Sequence, residues 1–284
     1  MPDCSNILFA SDYDRTITDF SGQIPACNLE AVEAFEAMGG CFTIATGRSK
    51  PMFAQKLPLL PLHAPVILFN GAAVWMPDGE VIVRYPMPRG WKDAVRDIHS
   101  RFPQLRVELQ NLNWHDCFGR DDLRDAYLER NGVEYRYPAL ENVGDEVLGI
   151  SFYTPFQEIG HSRSFDVPPE EDRPFQEIEA ILAKDFPGMF ESVRSMPRMI
   201  ELGAAGCGKG ATARWLAGQL GRTVLYCAGD APNDLPMLLE ADEAFIPVSS
   251  DPAILGYGFT EVASCDEGTI ASAVALIRSR GSDH

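Results

Sequence analysis

Asp12 and Asp14 stand two residues apart at the end of an apolar run, in Asp12-Tyr13-Asp14-Arg15-Thr16. In an extended chain that spacing sends both carboxylates to one side. Such neighbours repel, and one pKa rises unless a cation sits between them. Either outcome is chemistry. A metal satisfies both groups, or a raised pKa makes one a general acid. A second apolar run ends in Gly229-Asp230-Ala231-Pro232-Asn233-Asp234 and adds carboxylates at a helix start. Mg2+ prefers oxygen ligands and keeps several waters, so one or two carboxylates plus a phosphate oxygen suffice to hold it. Helix capping accounts for part of this run, Asp234 above all. Thr46-Gly47-Arg48-Ser49 follows a third apolar run. Its hydroxyl and the next N–H groups could cradle an anion, or simply cap a helix. Lys209 lies in Gly206-Cys207-Gly208-Lys209-Gly210, where glycines let a phosphate approach the backbone. Gly203 to Lys209 also fits the start of a P-loop. Gly210, however, stands where a P-loop needs Ser or Thr for Mg2+.

These residues need strand ends to position them. Ile7–Ser11, Cys41–Ala45, Val66–Phe69 and Thr223–Ala228 read as continuous apolar strands separated by helices. That pattern predicts a parallel sheet covered on both faces, with ligands just outside its carboxyl ends. Met199–Leu202 reads as another such strand. The middle of the chain changes character. Trp91, Ala94, Val95, Ile98 and Phe102 mark an amphipathic helix. Leu105, Val107 and Leu109 alternate with polar residues, as do Leu148, Ile150 and Phe152, which predicts strands covered on one face. The expected organisation is an α/β core over residues 1–83 and 194–284, interrupted by an α+β module with an antiparallel sheet over residues 84–193.

The formal net charge of −17 argues against a nucleic-acid surface and against an anionic membrane surface. It does not exclude an anionic substrate, because a metal and a few cations can invert the local field. No leader-like stretch and no membrane-spanning apolar run is visible. The cysteines are odd in number, scattered and without a C-x-x-C pair, so a reducing cytoplasm is expected. Trp114, His115, His161 and Arg163 could read a leaving group. The plainer reading is surface histidines and a packed tryptophan, and no metal-ligand spacing links the histidines.

In this order the motifs resemble the haloacid dehalogenase superfamily of phosphohydrolases. Asp12 to Thr16 match its first motif, Thr46 its second, Lys209 its third, and Gly229-Asp230 with Asn233-Asp234 its fourth. Asn70-Gly71-Ala72 and the Glu201 to Gly210 stretch are similar to its Cof-type branch, whose cap (subclass IIB) lies between the second and third motifs. The resemblance implies a Rossmann-like core and an inserted cap. It implies a Mg2+-dependent phosphatase acting on small phosphorylated metabolites, sugar phosphates above all. In that scheme Asp12 is the nucleophile and Asp14 the acid–base. Asp12, the backbone carbonyl of Asp14, and Asp230 hold Mg2+. Thr46, Gly47, Lys209 and Asn233 bind the phosphoryl group, and Thr16 and Asp234 support the metal shell and Lys209. Arg15, Arg48 and Asn70 are candidates for substrate or cap contacts. A phosphomutase of the same superfamily, phosphomannomutase-like, is the alternative. The family usually carries Gly where this chain has Arg15: if that position needs positive φ, Arg15 is strained, and if it does not, Arg15 points toward the site or cap.

Overall fold

The computed structural model describes residues 2–155, 168–196 and 198–280. His161 and Arg163 lie outside the described residues. The chain divides into two compact units. One comprises residues up to Thr46, Leu57–Ile82 and Gly208 onward; the other comprises Gly47–Lys56 and Val83–Cys207.

The first unit is built on a sheet of β1 (Ile7–Ser11), β2 (Cys41–Ile44), β12 (Val224–Ala228), β13 (Glu243–Pro247) and β14 (Thr260–Val262). Their order is β14-β13-β12-β1-β2, and every pairing is parallel. Alternate residues of β1 serve opposite faces, so both faces must be apolar and covered. Leu8 and Ala10 join a core with Ala213, Leu216 and Ala217 of α6 (Lys209–Gln219) and Met237 and Leu238 of α7 (Leu235–Glu240). Phe9 instead meets Phe35, Phe42 and Phe245 at centroid distances of 5.4 to 5.7 Å. Phe35 comes from α1 (Ala26–Ala37), which packs against α8 (Thr269–Arg280).

The third expected strand departs from this sheet. β3 (Val66–Leu68) pairs antiparallel with β4 (Ala73–Trp75) in a small sheet of order β3-β4-β5, with β5 at Val81–Val83. One parallel bridge, Ala45 to Ile67, ties it to the end of β2. The turn at Phe69–Gly71 reverses the chain after three strand residues, which prevents a long parallel pairing.

The second unit carries a six-stranded sheet of order β10-β11-β9-β6-β7-β8. Its strands are β6 (Arg106–Asn111), β7 (Trp114–Phe118), β8 (Glu134–Arg136), β9 (Val147–Tyr153), β10 (Phe190–Val193) and β11 (Met199–Ala204). All pairings are antiparallel except β7 with β8. Helices α3 (Trp91–Arg101) and α5 (Pro169–Asp185) cover one face, where Val95, Ile98, Phe175 and Ile178 pack with Val107, Ile150 and Phe152.

Three expectations are corrected here. Met199–Leu202 does not rejoin the parallel core: β11 lies between β9 and β10 in the antiparallel sheet, and the core resumes at Gly208 instead of residue 194. An apolar run of that length suits either kind of sheet, because periodicity does not report strand direction. Gly47–Lys56, read as part of the core, belongs to the second unit, where Met52 of α2 (Lys50–Ala54) packs with Cys117, Leu128 and Val133. The polar face of β6 is not a solvent face either, since Arg106, Glu108 and Gln110 are buried. The α4 helix (Asp122–Arg130) brings Arg124 and Asp125 onto that face as charge partners.

Candidate active site

The candidate residues of the first unit gather at the carboxyl ends of β1 and β12. Ser11 ends β1, and Asp12 follows it with extended backbone while its N–H bonds the Ala228 carbonyl at 2.8 Å. The chain then coils through Tyr13–Ile17, which leaves Asp12 buried and Asp14 half-buried. Asp230 and Asp234 are set by the turn after β12, where Pro232–Asp234 forms one helical turn. Asp234 Oδ2 accepts the N–H groups of Asp230 and Ala231 at 3.1 and 3.2 Å. Gly229 permits this wrap, since a Cβ there would lie 2.5 Å from Asp234 Cβ. Asn233 sits half-buried in the same turn.

Lys209 opens α6 and is buried. Its ammonium donates to Asp12 Oδ1 at 2.5 Å and Asp234 Oδ1 at 2.7 Å. Burial opposes its charge, but the Asp12 and Asp234 carboxylates prevail and hold its pKa above the ordinary value. This geometry removes the P-loop reading. The strand before Lys209 belongs to an antiparallel sheet, and the lysine is committed to two carboxylates.

Thr46 is buried at the end of β2. Its N–H bonds the Ile67 carbonyl at 2.9 Å, and its carbonyl accepts from Asn70 N–H at 3.1 Å. Asn70 itself lies in the Phe69–Gly71 turn at φ 52°. That turn abuts the start of α6: a Cβ on Gly71 would stand 2.3 Å from the Gly208 carbonyl oxygen, and Thr212 Oγ1 donates to the Gly71 carbonyl at 2.7 Å. Asn70 thus serves the placement of Thr46 and of the α6 start. Gly47 and Arg48 open the segment that packs in the second unit, and Arg48 Nη1 lies 3.5 Å from the Tyr127 hydroxyl.

Asp12, Asp230 and Asp234 each offer an oxygen within 4.8 Å of the others. Asp14 is not in that side-chain group. Burial pushes the Asp12 carboxyl well above the usual carboxylate range; Asp234, Asp230 and Asp14 add to the push, and Lys209 opposes it. Burial, then Asp234, pushes Asp230 up to about 7 against Arg15, Thr16 and Lys209. Arg15 Nε stands 3.3 Å from Asp230 Oδ2, and Thr16 Oγ1 donates to Asp230 Oδ1 at 3.2 Å.

This donor set fits a hard divalent cation. Carboxylates outnumber cationic side chains here, and buried anions of one sign are stable only when charge-compensated. The residues best able to hold it are Asp12 and Asp230. Asp234 belongs to the same cluster, but its oxygens already serve Lys209 and two backbone N–H groups.

Sequence reasoning missed His115. It is fully buried, with Nδ1 2.8 Å from Glu108 Oε1 and Nε2 2.9 Å from Ser49 Oγ. Its partners lie 7 and 66 residues away. The one signal in the sequence was Glu108 on the polar side of an alternating strand, which normally indicates solvent. Trp114 is partly covered, and Arg136 lies over its ring at 4.7 Å.

A family model for haloacid dehalogenase-like hydrolases matches residues 9–255. A search of curated protein sequences finds no match. Among solved structures, SMU.1108c from Streptococcus mutans is similar over 96% of this chain and 98% of its own, with TM-score 0.79 and 16% identity. The subclass IIB sugar phosphatase BT4131 is similar over 95% and 98%, with TM-score 0.75 and 19% identity. BT1666 from Bacteroides thetaiotaomicron, a phosphatase, is similar over 96% and 94%, with TM-score 0.76 and 18% identity. At these identities the likeness is one of fold. Among the described residues, no helix is long and apolar enough to cross a membrane.

Proposed function

The chain belongs to the haloacid dehalogenase-like hydrolases, and from that premise we propose that it is a Mg2+-dependent phosphatase of small phosphorylated metabolites with Asp12 as nucleophile. The observation that carries this reading is the buried Asp12 carboxylate, held through Oδ1 by Lys209 beside Asp230 and Asp234. Sugar phosphates are the favoured substrate class, supported by the fold shared with a subclass IIB sugar phosphatase. The odd number of scattered cysteines, with no C-x-x-C pair, supports a reducing, cytoplasmic setting.

Lys209 fixes one oxygen of Asp12, so the other oxygen attacks phosphorus along a defined direction. The P–O bond to the leaving group breaks, and Asp14 gives that oxygen a proton. The aspartyl-phosphate on Asp12 is then cleaved by water, whose proton returns to Asp14. Thr46 and Lys209 face the transferring phosphoryl group, whose spread charge makes such donors most effective in the transition state. Asp12, Asp230 and the Asp14 carbonyl would hold Mg2+, which would supply positive charge against the phosphate oxygens and allow both carboxylates to ionise. Asp234 keeps Lys209 in place, and Thr16 orients Asp230.

The test is phosphate release from a panel of phosphorylated sugars with Mg2+. Asp12→Asn should lower kcat by at least about a thousandfold while the protein stays folded. Undiminished turnover by that variant would end the reading. Isomerisation of a sugar phosphate without phosphate release would make the enzyme a mutase.

A further inference from the structure

The turn after Thr46 runs straight into the second unit. Gly47–Lys56 packs there, so the chain crosses between units after Thr46, Lys56, Ile82 and Cys207. Two of these crossings adjoin Thr46 and Lys209, the residues assigned above to the phosphoryl group.

Ser49 is the point of attachment. It caps α2 with extended backbone, yet its hydroxyl makes no capping bond. An N-cap serine ordinarily gives its oxygen to an N–H of the first turn. Here Ser49 Oγ meets His115 Nε2 at 2.9 Å, and both residues are fully buried. Behind His115 stands Glu108. Its Oε1 takes His115 Nδ1 and Arg124 Nη2, each at 2.8 Å. Its Oε2 takes Arg124 Nε at 3.0 Å and the Tyr153 hydroxyl at 2.9 Å. Burial alone would push the Glu108 carboxyl up, but Arg124 and His115 overcome it and hold the group well below the usual range. An ionised carboxylate only accepts, so His115 Nδ1 carries a hydrogen. In the neutral ring, Nε2 is then an acceptor for the Ser49 hydroxyl. The imidazole is held by Glu108, which Arg124 fixes in turn through two hydrogen bonds, and it presents one fixed atom to one serine.

We propose that His115, fixed by Glu108 and Arg124, is a positioning residue for the phosphate-binding turn: by holding Ser49 it sets the Gly47-Arg48 backbone that continues from Thr46. The inference rests on the phosphatase reading. Arginine, glutamate and histidine buried together are a poor device for stability alone, because desolvation offsets their attraction. They are a good device for fixing geometry.

The experiment compares the full chain with Ser49→Ala, His115→Phe and His115→Gln at saturating Mg2+, well below each melting temperature. It reads KM and kcat for p-nitrophenyl phosphate, Ki for inorganic phosphate, Kd for Mg2+, and Tm. Ser49→Ala and His115→Phe should raise KM and the phosphate Ki about fivefold or more, with Mg2+ affinity within about twofold of wild type. His115→Gln keeps a polar group for Ser49 and should recover most of the loss. A purely structural role lowers Tm and leaves KM and Ki in place, and that result in Ser49→Ala overturns the proposal. If His115→Phe fails to fold, Ser49→Ala and His115→Gln decide. An active wild type with silent variants removes the positioning role alone. A wild type that neither hydrolyses nor binds phosphate removes the phosphatase reading, and the positioning role with it.

Discussion

Arg15 holds the left-handed backbone region at φ 60° while its guanidinium reaches Asp230. That conformation costs a non-glycine residue about 1–2 kcal/mol. The Arg15 N–H bonds Thr18 Oγ1 at 3.0 Å, and the ion pair lies 3.3 Å from Nε to Oδ2. The pair is partly exposed, so it returns no more than a surface bridge does, at most about 1 kcal/mol. The sequence left strain and a site-facing side chain as alternatives, and the structure has both. Arg15→Gly should relax the backbone and leave Tm within a few degrees of wild type. It also removes a positive charge beside an oxygen assigned to Mg2+. Affinity for Mg2+ at pH 8 should therefore rise by about tenfold, read by isothermal titration. Unchanged affinity would mean that Arg15 turns away from Asp230 once the metal binds.

At the scale of elements, the site depends on contacts between turns. The Phe69–Gly71 turn has backbone at φ 52°, 52° and 105° and presses against the first residues of α6. Gly71→Ala would set a methyl 2.3 Å from the Gly208 carbonyl oxygen, in a backbone region that alanine avoids. The expected loss is about 3 kcal/mol or more, seen as a melting point lower by several degrees. Because Lys209 begins the displaced helix, turnover should fall as well. A variant with native Tm and kcat would show that the turn can part from α6 freely.

The legibility of elements follows the same physics. Apolar strands and their polar ends were readable, because period and composition report burial and termination. The assignment of Met199–Ala204 to an antiparallel sheet was not, since an apolar run does not report strand direction. Nor was the buried face of β6 readable. Alternation indicates solvent only when no helix brings matching charges, and Arg124 and Asp125 on α4 do so. Asp12, Thr46, Lys209 and Asp230 each end an element or begin one, so spacing exposed them. Ser49 and His115 owe their meeting to tertiary structure alone.

For the whole molecule, the carboxylate cluster links stability, metal and pH. In the metal-free protein Asp12 and Asp230 have folded-state pKa values above their unfolded ones, Asp230 at about 7. Their contribution to stability is full below the unfolded value of roughly 4 and is lost as pH rises through 7. On the proposed reading, Mg2+ would reverse that loss by compensating the ionised groups. Its binding would then displace at least one proton below pH 7. Apparent Mg2+ affinity should fall at least about tenfold per pH unit below 7 and level off above it. The rise in Tm caused by Mg2+ should grow from pH 5.5 to 7 and then plateau. Thermal melts with and without Mg2+ across that range check the sign, and a shift larger at pH 5.5 than at pH 8 would contradict it.

The fourfold passage of the chain between its units has a consequence for grafting. A chimera that exchanges only the continuous insert, Val83–Cys207, cuts the chain at two of its four crossings. Ser49 and Met52 would then stay with the recipient and meet a donor insert lacking their own His115, Cys117, Leu128 and Val133. The second unit cannot be transplanted as one cassette in this chain. The decapeptide Gly47–Lys56 has to travel with the insert, and the splice beside Thr46 must match the donor's turn as closely as the splice beside Lys209.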